Sequence, residues 1–142
     1  MQDYDETQII KVTPDAERAK ALLFLAEMRL KDLSQKSPEF APLIVEGYYE
    51  AMLELITALM RFDGCQTLSH EQAIAYLARF YKKFSYFEIT LIDQLRRARH
   101  DITYRGILVR PGYLERNKED ILNLIEKLRT TLSEKLKKSG NL

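Results

Sequence analysis

Cysteine is almost missing from this chain: Cys65 stands alone among 142 residues. One thiol excludes an internal disulfide and a cysteine-based metal cluster, and it fits a reducing compartment, so a cytoplasmic protein is expected. Glycine and proline are scarce as well, at five and four residues. They fall almost wholly between stretches whose apolar residues recur at three and four positions, the spacing of one helix face. Strand-like alternation is nowhere convincing. No apolar run approaches the roughly 20 residues of a membrane span, and Met1 to Thr7 is acidic and polar, unlike a basic-plus-apolar export signal. No membrane association is therefore expected. Excess charge of one sign is also lacking, because 22 basic and 21 acidic residues leave a net +1. No global field draws the chain to nucleic acid or lipid, so an anion site has to be local. There is no glycine-rich phosphate loop, internal repeat or linker. The two histidines, His70 and His100, lack carboxylates at matched spacing, so neither a metal nor a cofactor is expected.

What is present reads as an all-α chain. The expected architecture is an up-and-down antiparallel bundle of four long helices plus one short helix, a single domain over residues 1–142 with 1–12 and 139–142 loosely ordered. Thr13 and Pro14 form a cap and first-turn pair for a helix with Ala19, Leu22, Leu23, Ala26, Leu30 and Leu33 on one stripe, ending near Ser37-Pro38. A second helix spans about Glu39 to Phe62 and stops at Asp63-Gly64. Ser69 with Gln72 opens the short helix as a capping box, and Ser85 with Glu88 repeats the device for the fourth. The last helix is expected from Tyr113, after Pro111-Gly112, to about Lys138.

The fourth helix ends in Arg96-Arg97-Ala98-Arg99-His100-Asp101-Ile102-Thr103-Tyr104-Arg105-Gly106, which gathers four arginines and a histidine within three turns. Arginine forks grip phosphate oxygens in pairs, and histidine is the side chain suited to moving protons near neutral pH. Basic residues before a glycine stop also have a plain structural reason in the helix dipole. At 100° per residue, Phe84, Glu88, Leu91, Leu95, Ala98 and Ile102 face the bundle, with Arg99 at the edge of that side. Tyr86, Ile89, Asp93, Arg96, Arg97, His100 and Tyr104 share a different side. Aromatic residues interleaved with arginine mark places where proteins meet partners, so this stripe reads as a subunit contact lined with anion-binding groups. Tyr86, Ile89 and Asp93 are the candidate dimer interface. Arg96, Arg97, Arg99, His100, Tyr104 and Arg105 are candidates for binding nucleotide or RNA, and Arg99, His100 and Tyr104 for catalysis. On the second helix Glu46, Glu50 and Glu54 are mostly solvated acids, one of which is placed to orient Arg99 across the bundle. His70 lies in the first turn of the short helix, where a protonated imidazole is disfavoured, so a neutral packed or hydrogen-bonded form is expected.

Taken in order, Tyr48-Tyr49-Glu50-Ala51 running to Ala58-Leu59 and Phe62-Asp63-Gly64, then Ser69-His70-Glu71, then Arg99-His100-Asp101-Ile102-Thr103-Tyr104-Arg105-Gly106, resemble the HEPN family of nucleotide-binding domains, over about Pro14 to Leu136. The resemblance implies a four- or five-helix bundle that forms a homodimer and brings two arginine motifs to a shared cleft. It also implies either a nucleotide- or RNA-binding partner of a minimal nucleotidyltransferase in a toxin–antitoxin-like pair, or a metal-independent endoribonuclease. A non-catalytic helical dimerisation adaptor is the third reading of the residues. The family's signature is an arginine, four to six residues, then histidine. Arg99 resembles the motif arginine and His100 the polar residue after it, but Tyr104 stands where the histidine belongs.

Overall fold

The computed structural model describes residues 3–142, and the chain is predominantly helical. Five α-helices occur among the described residues: α1 (Ala16–Ser34), α2 (Ala41–Asp63), α3 (His70–Phe80), α4 (Tyr86–His100) and α5 (Tyr113–Lys138). Their ends follow local chemistry. Asp15 caps α1 by accepting from the Arg18 amide at 2.9 Å, so the cap lies two residues beyond the expected Thr13. The helix then stops at Ser34, short of Ser37-Pro38, and a single 3-10 turn, Pro38–Phe40, leads into α2. Ser85 and Glu88 form the reciprocal capping box at the start of α4, at 3.1 and 2.8 Å.

α2 is the central element and packs against each of the other helices. Val45, Tyr49, Met52, Leu55, Ile56 and Leu59 on it are fully buried, each large apolar side chain contributing about 1.5–3 kcal/mol. α1 runs antiparallel to α2: Asp15 pairs with Arg61 near one end and Arg29 with Glu54 further along. At Gly47 the two helices approach so closely that a Cβ would meet Leu33 at 2.5–3.1 Å. α4 also runs antiparallel to α2, since Arg99 reaches Glu50 and Thr103 reaches Glu46. α5 lies along α2 in the same direction, with Tyr113 near Ala41 and Lys135 bonded to Asp63.

Residues 3–12 are held rather than loose, and Met1 and Gln2 of the stretch expected to be loosely ordered lie outside the described residues. β1 (Ile10–Lys11) pairs antiparallel with β2 (Cys65–Gln66), and the Thr67 hydroxyl donates to the Gln8 carbonyl at 2.9 Å. Buried Gln72 accepts from the Asp5 amide and donates to the Asp3 carbonyl. Gln72 is thereby taken from the reciprocal half of the Ser69 capping box, although Ser69 still accepts from the Gln72 amide. Strands of two residues are too short to show alternation, which is why this ribbon has no signature in the sequence pattern.

Candidate functional site

α4 does not end at His100. It continues through a π turn, Asp101–Arg105, closed by Gly106 in the left-handed region (φ 63°), whose amide bonds back to the Asp101 carbonyl. π turns are uncommon and occur often at functional sites. On a regular helix Arg99 and Tyr104 would lie about 140° apart. Closing i→i+5 instead brings them together, and the Arg99 Cζ stands 5.7 Å from the centre of the Tyr104 ring. His100 packs its ring 5.0 Å from the same tyrosine.

These side chains form one wall of a cleft of about 260 Å³ lined by Leu68, Ser69, His70, Glu71, Arg96, Arg99, His100 and Tyr104. The opposite wall is the β2–α3 loop and the first turn of α3. Arg96 and Arg99 are each anchored from below through Nε, Arg96 to Asp93 at 2.9 Å and Arg99 to Glu50 at 3.1 Å. The pairing of Arg99 with an acid of α2 is the contact the sequence places there. Arg96 Nη1 stands 3.7 Å from Glu71, outside hydrogen-bond reach. An arginine held by Nε keeps its terminal nitrogens for a planar anion, the geometry of bidentate phosphate recognition. Local charge is nonetheless balanced: Arg96, Arg97 and Arg99 face Asp93, Glu71 and Glu50. What the cleft offers an anion is therefore a set of directed N–H groups more than a field.

His70 adds a fixed donor. Tyr49 is fully buried, and its hydroxyl lies 3.2 Å from His70 Nδ1. Burial pushes the Tyr49 phenol up, so it stays protonated, and a buried hydroxyl proton needs an acceptor. Tyr49 therefore donates to Nδ1, which leaves the imidazole proton on Nε2. Partial burial and the nearby Arg99 push the His70 pKa below its ordinary value, in keeping with the neutral form expected for it.

The remaining site residues divide. Arg97 is exposed and bonded to Asp93 at 3.0 Å, and Arg105 is exposed and paired with Asp101 at 3.4 Å. Neither lines the cleft. Ile89 and Asp93, read as part of a dimer contact, are 3% and 5% exposed within the protomer. α3 folds back along α4, so the middle of the α4 stripe is enclosed at Ile89 and Asp93, while Arg97, His100 and Tyr104 stay exposed. Of the three candidate interface residues only Tyr86 remains outside. Leu68, Ser69 and Glu71 belong to the cleft and were not singled out for it. Their traces in the sequence are the Ser69 cap and the Ser69-His70-Glu71 landmark of the resemblance, which locate the start of α3 but not the face it turns to α4. Among the described residues, no three His, Cys, Asp or Glu gather as a metal would need, and no helix is long and apolar enough to cross a membrane. Set against protein-family models, curated proteins and solved structures, the chain matches none of them.

Proposed function

We propose that this protein is a HEPN-like nucleotide- or RNA-binding domain that grips phosphate in the α3–α4 cleft. The observation that carries this reading is the shared arrangement of Arg96 and Arg99, each held through Nε by an acid and both lining one cavity. His70 Nε2–H and His100 flank the same space. The resemblance of Tyr48 to Leu59, Ser69-His70-Glu71 and Arg99 to Gly106 to the HEPN landmarks supports the same reading, and it adds a homodimer and a minimal nucleotidyltransferase as partners. Fluorescence anisotropy with a labelled single-stranded RNA tests it: Arg99→Ala and Arg96→Ala each weaken binding by about 10- to 100-fold, in line with about 1.5–3 kcal/mol for a charged hydrogen bond. Unchanged affinity in both variants refutes it and favours a helical adaptor.

A second reading, metal-independent RNA cleavage, is favoured by one specific observation: the cleft holds both histidines of the chain beside the two arginines. Such a reaction moves the ribose 2′-hydroxyl proton to a base, closes a 2′,3′-cyclic phosphate and breaks the bond to the 5′-oxygen, which takes up a proton. His100 is the candidate base, since His70 presents its N–H. RNA incubated in EDTA then yields cyclic phosphate ends, and His100→Ala abolishes them. Intact RNA under these conditions leaves binding as the whole activity.

A further inference from the structure

We propose that Leu68 and Tyr104 are the two jaws of a clamp for one unpaired nucleobase, so that the cleft takes single-stranded RNA and not a duplex or a bare phosphate. The inference rests on the phosphate reading above and specifies its substrate. Leu68 is 94% exposed and Tyr104 66% exposed, and both line the cavity that holds Arg96 and Arg99. They come from opposite walls, Leu68 from the β2–α3 loop and Tyr104 from the π turn.

Single exposed apolar residues are ordinary on protein surfaces, and it is the setting of Leu68 that makes it informative. Its loop is pinned on both sides: the Thr67 hydroxyl donates to the Gln8 carbonyl and accepts from the Ser69 amide, and Ser69 caps α3. The leucine is thus held out in water at the lip of a polar cleft, by a backbone that cannot easily retract it. Across from it, the Tyr104 ring rests against His100 and Arg99, contacts that orient it while most of the residue stays open to solvent. An aromatic ring beside arginines is the usual platform for an unstacked base, with the cations taking the adjoining phosphate. At about 260 Å³ the cavity is smaller than the roughly 300–1,000 Å³ of pockets for drug-sized ligands, a size for parts of one nucleotide and not for a helix. In a duplex each base is covered by its neighbours and cannot enter between the jaws.

The test compares three probes on the full chain: a short labelled single-stranded 2′-O-methyl RNA, which cannot undergo cleavage through its 2′-oxygen, the same backbone made abasic, and the matching duplex. The base-bearing strand is expected to bind about tenfold tighter than the abasic strand or the duplex, within the range of stacking on one aromatic side chain. Leu68→Ala, a change at an exposed position, removes most of that margin without altering affinity for the abasic strand. Tyr104→Phe keeps the margin and Tyr104→Ala loses it. Equal affinity of the wild type for base-bearing and abasic strands overturns the clamp, as does an equal loss on both strands in Leu68→Ala. If Arg99→Ala still weakens both strands in that case, the phosphate reading survives the failure of the clamp. If Arg99→Ala weakens neither, both fall together.

Discussion

Raising the salt concentration distinguishes a directed phosphate cleft from a diffusely basic helix end. Each arginine that neutralises a phosphate releases counterions, and for single strands the slope of log affinity against log salt is about −0.7 per contact. The structure presents two arginines to the cleft, Arg96 and Arg99, while Arg97 and Arg105 point elsewhere into their own ion pairs. The slope worked from two contacts is about −1.4, so affinity falls about sevenfold between about 50 and about 200 mM salt. Arg99→Ala halves the slope to about −0.7 as well as weakening binding, whereas Arg97→Ala and Arg105→Ala leave it near the wild-type value. The assay is anisotropy with a labelled single-stranded RNA over a salt series. A wild-type slope near −2.8, the value for all four arginines, or an equal contribution from Arg97 and Arg99, refutes the geometry described for the cleft.

Asp93→Asn keeps the shape of a buried residue but removes the charge that faces Arg96 and Arg97. Breaking a buried pair costs about 3–5 kcal/mol; because Arg97 is largely in water the expected loss is about 1–2 kcal/mol, a fall in Tm of about 2–8 °C by thermal melting. Glu71→Gln releases Arg96 Nη1 from its loose partner and raises RNA affinity about two- to fivefold, on the scale of an exposed ion pair; weaker binding would show that Glu71 supports the cleft instead. His70 binds its proton less readily when folded than at its ordinary value of 6.5. The unfolded chain therefore takes up the proton first, and stability falls as pH drops from about 6.5 towards the folded value. Denaturant titrations between pH 7 and pH 5 should show this loss reduced in His70→Gln, and an equal slope in both proteins would count against the neutral imidazole. Gly47→Ala forces a Cβ against Leu33 and is expected to cost about 1–3 kcal/mol, although alanine is the better helix former.

Much of the helical layout could be read residue by residue. The Ser85–Glu88 box, the apolar faces of α2 and α5, the neutral state of His70 and the acid of α2 that meets Arg99 all follow from local spacing and the helix dipole. Three features could not be read in that way, and each has a physical cause. Strands of two residues leave no alternation to detect, so the pairing of Ile10–Lys11 with Cys65–Gln66 was hidden. A wheel drawn at a constant 100° per residue assumes that α4 keeps its winding, whereas the π turn shifts Tyr104 relative to every residue before Asp101. An outward stripe on α4 is a property of the isolated helix, and only the tertiary return of α3 encloses Ile89 and Asp93.

That return of α3 also decides what the arginines are able to do. Without it, Asp93 would be one more solvated acid and Arg96 a mobile side chain whose charge is screened within about 10 Å at 0.1 M salt. With it, Asp93 is shielded and holds the Arg96 Nε while also taking Arg97, so one guanidinium is pre-oriented towards the cleft and the other is kept out of it. Glu50 does the same for Arg99 from the α2 side. The acids cancel the net charge of the cluster but fix the direction of its donors, and fixed donors lose little freedom when a ligand arrives. On the proposed reading, a site of this kind gains little from long-range attraction and depends on fit, so the choice among polyanions falls to contacts beyond phosphate, at His70, Leu68 and Tyr104.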